Sequence, residues 1–159
     1  MRELSQIRDA VVSALAALDA YPDQRARRYG CPVAAVAVET AESRTVGFCN
    51  YLGEVFDTGA GAPRELYGKQ LEAVISIEIR GQRAADCEQG CETAAEVLLG
   101  RLPAGIRPGE LNWEALTWER ETGLFLRRGR LRCRAYFLAR AEEGDTVFLD
   151  FRLKGAVTT

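Results

Sequence analysis

The residues best suited to chemistry fall into four groups. Cys87 and Cys91 lie one helical turn apart and could share a metal ion with a third thiolate. Gly59-Ala60-Gly61-Ala62-Pro63 is a glycine-punctuated segment of the kind that can cradle a phosphate. Glu119 with Glu121, and Glu142 with Glu143, are carboxylate pairs that general acid–base catalysis could use. Arg127, Arg128, Arg130, Arg132 and Arg134 concentrate positive charge in eight residues.

The first three groups do not assemble into a site. The chain contains no histidine, so the usual general base and the commonest metal ligand are missing. The Cys87/Cys91 spacing is not that of paired zinc knuckles, and both read as small core residues. Residues 59–63 lack the third glycine of a dinucleotide loop and the Gly-Lys-Ser/Thr ending of a P-loop, and read as a loop suited to ordering against a partner. The glutamate pairs sit at turns, and Ser5, Ser13, Ser43 and Ser76 have no base to activate them. The expectation is a protein that is not an enzyme and needs no cofactor or metal.

The arginines are different. Arg128, Arg130, Arg132 and Arg134 share a parity, so on a strand their guanidinium groups form a row about 20 Å long, with Arg127 and Arg140 nearby. Such a row is either a solvated sheet face cross-paired to Glu114, Asp150 or glutamates of neighbouring strands, or a charged contact surface for another protein subunit. A nucleic-acid backbone is a poorer match, because the chain carries a formal net charge of -2.

The elements that position these groups follow from periodicity. Leu4, Ile7, Val11, Leu15 and Leu18 recur at helical spacing, predicting an amphipathic helix over residues 2–21 that ends before Pro22. Residues 23–30 read as a loop, and residues 33–40 and 45–52 as a β-hairpin. Residues 53–69 are broken by Gly59, Gly61, Pro63 and Gly68 and read as a long excursion. Strict alternation of Leu71, Ala73, Ile75, Ile77 and Ile79 with more polar residues marks a strand over residues 70–80. A second helix follows to about Leu102, with Cys87, Cys91, Ala94, Ala95 and Leu98 on its narrow apolar side. Residues 110–119 read as one strand, residues 130–140 as a long one entered through Leu124-Phe125-Leu126, and residues 146–154 as the last.

This order predicts an α+β fold: a mixed, largely antiparallel β-sheet with two main helices packed on one face. A chain of 159 residues, 47% of them hydrophobic, suits a single domain over residues 1–159. No apolar run approaches the roughly 20 residues of a membrane span. The N-terminus does not read as a secretory signal, and the odd count of five cysteines argues against a disulfide framework, so the expected compartment is the cytoplasm.

The element order also resembles the tail terminator, or tail completion (neck), proteins of long-tailed bacteriophages and related contractile particles. The resemblance is carried by the opening helix over residues 3–18, by Leu66-Tyr67-Gly68-Lys69 entering the strand 71–80, and by the helix 84–102 leading into paired C-terminal strands. It implies a homo-oligomeric subunit, in that family a hexameric ring, which caps the tail tube and contacts tube or neck proteins before incorporation into a virion or tail-like particle. It further implies that the loop 53–68, with Gly59, Gly61, Arg64 and Tyr67, reaches a neighbouring subunit or the tube, while the arginines meet acidic groups across an interface. The C-terminal strands are longer and more basic than the family pattern needs. The remaining readings are a small-ligand or nucleic-acid binding module using the same loop and the strand Arg127 to Arg140.

Overall fold

The computed structural model describes residues 2–22, 32–44, 51–139 and 146–148. Helix α1 spans Arg2–Ala14 and buries Ile7 and Val11, with Leu15 and Leu18 continuing the same stripe beyond its end. It is shorter than periodicity predicts. After Ala14 the chain tightens into a 3-10 turn, Ala16–Leu18, and Asp19 adopts a left-handed φ of 45°, a conformation its short polar side chain tolerates. The reversal lets Tyr21 run beside the first strand, donating to the Ala34 carbonyl at 3.1 Å and accepting from Val36 N–H at 3.0 Å.

Strands β1 (Val33–Arg44), β2 (Tyr51–Asp57) and β3 (Ala62–Gly81) correct the predicted hairpin. Among the described residues, 33–40 do not pair with 51–52. Instead β1 lies antiparallel to the second half of β3, from Val33 opposite Arg80 to Arg44 opposite Gln70. β2 pairs with the first half, from Tyr51 opposite Tyr67 to Asp57 opposite Ala62. The register follows from burial: Ala34 and Val36 sit opposite Ile79 and Ile77, and all four face the core. Residues 45–50 lie outside the described residues. The predicted excursion over 53–69 is likewise corrected to strand, turn and strand. Gly61, at a φ of 66°, supplies the left-handed turn residue that lets the chain double back.

Helix α2 (Ala84–Gly100) buries Cys87, Gly90, Cys91, Ala94 and Leu98, small residues that bring it close to the sheet. The single strand predicted over 110–119 is two, β4 (Ile106–Trp113) and β5 (Thr117–Glu119). Both pair with β6 (Leu124–Ala139), which begins earlier than the arginine pattern alone indicates. β7 (Thr146–Phe148) pairs with the end of β6, and the remainder of the predicted last strand lies outside the described residues.

The sheet order is β1-β3-β6-β4, with β2 on β3 and with β5 and β7 on β6. Among the described residues all the ladders are antiparallel, and the Tyr21–Ala35 bridge is parallel. The fold is α+β, as the pattern predicts. The five alternating residues Leu71 to Ile79 are all buried, joined from β6 by Leu131, Cys133, Ala135 and Phe137 and from the helices by Ile7, Val11, Cys87, Ala94 and Leu98. Gly129 belongs to this face for a steric reason: a Cβ there would lie 2.6 Å from the Trp113 ring.

Candidate interface: an ion-paired sheet face and a projecting hairpin

Because side chains alternate along β3 and β6, the face away from the helices is set by the even-numbered residues of both strands. Antiparallel register places Glu72 opposite Arg134, Val74 opposite Arg132, Ser76 opposite Arg130 and Glu78 opposite Arg128. The arginine row therefore meets a row containing two glutamates. Arg134 Nε donates to Glu72 at 2.9 Å and Arg128 Nε to Glu78 at 3.0 Å. Arg130 reaches past Ser76 to Glu39 on β1 at 2.9 Å, and to Glu114 at 3.6 Å. Arg44 adds ion pairs to Glu42 and Glu72, both at 3.4 Å.

Arg132 departs from this pattern. Its cross-strand neighbour is Val74, and among the described residues it has neither a hydrogen bond nor an ion-pair partner. It borders a groove of about 280 Å³ shared with Arg107, Pro108, Arg134 and Tyr136. There the Arg107 guanidinium lies over the Tyr136 ring, 5.7 Å from its centroid. Arg127 has the opposite parity and lies on the helix face, where its Nε donates to the Glu114 carbonyl at 2.9 Å. Arg140 and Asp150 lie outside the described residues.

Two residues central to this face escape sequence reasoning. Alternation assigns Arg80 to the wet side of β3, yet it is 6% exposed. β5 brings Glu119 across it, and the two side chains meet fork to fork: Arg80 Nε donates to Oε1 at 3.0 Å and Nη2 to Oε2 at 3.1 Å. Nη2 also donates to Glu78 at 3.0 Å, and the Thr122 hydroxyl donates to Glu119 at 2.7 Å. Desolvation opposes the Arg80 charge, but Glu119 and Glu78 more than offset it and hold the guanidinium protonated above the ordinary arginine range. Hydrogen bonds from Arg80, and then from Thr122, keep Glu119 below the usual carboxylate range despite its partial burial. A charged residue ending an otherwise alternating strand is the only sequence signal for this network.

The second predicted region forms an arm. β6 reaches β3 only as far as Tyr67, opposite Ala139, so residues 62–66 have β2 as their partner among the described residues. At the ordinary strand rise residues 62–66 span about 16 Å of this hairpin. Gly59 and Gly61 lie in the turn at its tip, Arg64 stands opposite Val55, and Tyr67 is at its root, donating its hydroxyl to Glu65 at 2.7 Å. Phe56, opposite Pro63, is 63% exposed. The predicted interface residues thus separate into an arm and a sheet face. Val74, beside Arg132, is seven positions from Tyr67, or about 23 Å along β3.

The thiols serve packing. Cys87, Cys91 and Cys133 are buried, and the Cys87 thiol donates to the Ile79 carbonyl at 3.3 Å. Burial pushes the Cys133 thiol up to about 11, and the hydrogen bond with Cys87 together with burial pushes Cys91 up. Cys31 and Cys49 lie outside the described residues. Among the described residues no three His, Cys, Asp or Glu side chains are grouped to hold a metal ion, and no helix is long and apolar enough to cross a membrane.

These features define a two-layer α+β protein with helices on one sheet face, an ion-paired lattice on the other and a β2–β3 hairpin that begins the central strand. No protein-family model matches the chain, and no curated protein does. Among solved structures, it is similar to a chain of the virion of a native gene transfer agent particle, at a TM-score of 0.37 and 16% identity over 80% of this chain and 86% of that one.

Proposed function

We propose that this chain is a non-catalytic structural subunit of a phage-like tail, a ring-forming terminator or neck protein that caps or joins the tail tube and is incorporated with it into the particle. The observation that carries the reading is the arm. Among the described residues this hairpin exposes two large hydrophobic side chains, Phe56 and Tyr67, surface suited to contact with another protein. This arm continues the central strand β3, so a force on it is transmitted directly into the core.

The sheet edges favour the same kind of contact. On β1, Tyr21 occupies the edge at Ala34 to Val36, and the register shifts between Val38 and Thr40. On β4, Pro108 removes a donor and the register shifts again before Leu111. Among the described residues these features discourage strand addition at the two edges, which favours association through the faces. A nucleic-acid role has less support, since Arg128, Arg130 and Arg134 are each held by a glutamate.

Native mass spectrometry of the chain alone and with purified tail tubes tests the proposal, with electron microscopy to locate the bound chain. A closed ring, free or at a tube end, is the expected result. A chain that stays monomeric and never binds tubes is incompatible with it.

A further inference from the structure

The grooves on the sheet face away from the helices differ in the charge of their described linings. One, of about 420 Å³, has Glu39, Glu78 and Glu114 against Arg128 and Arg130. Another, of about 360 Å³, has Glu42 and Glu72 against Arg44 and Arg132. The groove of about 280 Å³ between β4 and β6 reverses the balance: Arg107, Arg132 and Arg134 stand against the single carboxylate of Glu72, which Arg44 also shares. Backbone register accounts for the excess. Between Pro108, opposite Cys133, and Leu111, opposite Leu131, two residues of β4 stand against Arg132 alone, a β-bulge. One of them, Gly109, has no side chain to offer, and a Cβ there would lie 3.1 Å from the Arg132 carbonyl oxygen. Val74 flanks Arg132 on the β3 side and has no acceptor either. Beside the bulge, Arg107 stands directly opposite Arg134, a like-charge pair that cross-strand register disfavours.

We propose that this groove binds a phosphate dianion, free or as the head of a small phosphate monoester, held by Arg107, Arg132 and Arg134. Three guanidinium groups against one carboxylate leave an excess that a single dianion neutralises. A phosphate also presents more oxygens than a carboxylate, so it can accept from several guanidinium forks at once. Arg134 gives its Nε to Glu72 and keeps its remaining N–H donors for a ligand. Arg107 is held over the Tyr136 ring, which reduces the ordering that binding has to impose. The volume lies at the small end for ligand sites and suits an anion with a modest substituent. A nucleic-acid backbone is the poorer occupant, because its charges run on in a line and the other two grooves carry at least as many glutamates as arginines. Phosphate binding here is a property of the chain beyond the assembly reading and separable from it.

Sodium phosphate titrated into the chain at constant ionic strength tests it, at about pH 8 where phosphate is mostly dianionic, followed by amide NMR shifts with sodium chloride as the reference. Saturable shifts centred on Arg107, Arg132 and Arg134 are the expected result. Arg107→Gln and Arg132→Gln should each weaken binding roughly tenfold or more, with circular dichroism unchanged, while Arg128→Gln on the 420 Å³ groove leaves it unaltered. Adenosine monophosphate in place of inorganic phosphate separates the two sources: tighter binding names a monoester, equal or weaker binding names free phosphate, and either bears the inference out. Shifts that do not saturate, or that chloride reproduces, overturn it. So does binding undiminished in Arg132→Gln, or diminished equally in Arg128→Gln. A single-stranded oligonucleotide that binds where neither small phosphate does makes the occupant a nucleic-acid backbone and overturns the small-ligand site. Ring formation and tube binding are read in their own experiments, so failure here leaves the assembly reading standing.

Discussion

Arg80 and Glu119 meet fork to fork across 39 residues of sequence, at 3.0 and 3.1 Å, with the start of β6 lying between their strands β3 and β5. The pair joins Thr122, Glu78 and Arg128 into one chain of charge-assisted hydrogen bonds. Around it Val33, Leu124 and Leu126 are buried, so this end of the otherwise charged face is a small second core.

Replacing one partner strands the other in a desolvated site. Arg80→Leu should destabilise the fold by about 3 kcal/mol or more, and Glu119→Leu should be similarly harmful. The double substitution should cost less than the sum of the two singles. Urea denaturation of the four proteins reads the coupling, and strict additivity would refute the pairing.

Acid should weaken the fold through the same group. Glu119 is held below its unfolded value, so its contribution is present above about pH 4.3 and is lost as pH falls through the lower folded value. Glu3 adds to this limb: its backbone hydrogen bond and Lys69 outweigh partial desolvation and keep it depressed. Urea midpoints measured from about pH 3 to about pH 7 should fall on the acid side. Glu119→Gln should start lower at neutral pH and show a flatter acid limb.

Gly129→Ala should cost about 1–3 kcal/mol, because the added Cβ meets the Trp113 ring at 2.6 Å on a strand that cannot yield without breaking ladder bonds. Near-UV circular dichroism should report the displaced indole. A variant with wild-type stability and spectrum would mean that the ring packs elsewhere.

The ion lattice should matter little to folding. Arg128→Gln and Arg134→Gln each remove a pair whose arginine is more than half exposed, so losses below about 1 kcal/mol are expected, smaller still at high salt. A loss as large as that of Arg80→Leu would show that this face is buried in the protein as measured.

Phe56→Ser should change monomer stability by no more than about 0.5 kcal/mol, since the ring is mostly exposed. Its effect should fall on association, measured by sedimentation, because a large exposed aromatic at the head of an arm gains most when a partner covers it. Equal association of variant and wild type would remove Phe56 from the contact.

Local pattern alone determined a good part of this protein. Strict alternation from Leu71 to Ile79 identified the central strand and its buried face, helical spacing identified α1 and α2, and shared parity put Arg128, Arg130, Arg132 and Arg134 on one face. Those are properties of a residue and its near neighbours along the chain. Which strand lies beside which is not, since alternation gives a side chain's face but not its cross-strand partner. Only the tertiary structure therefore decided that β1 pairs with β3, that residues 53–69 form strand, turn and strand, that three of the four arginines meet glutamates while Arg132 meets Val74, and that Glu119 pairs with Arg80. The same periodicity that reads Ile79 as buried reads Arg80 as wet, and its burial comes from side chains distant in sequence, Glu119 among them.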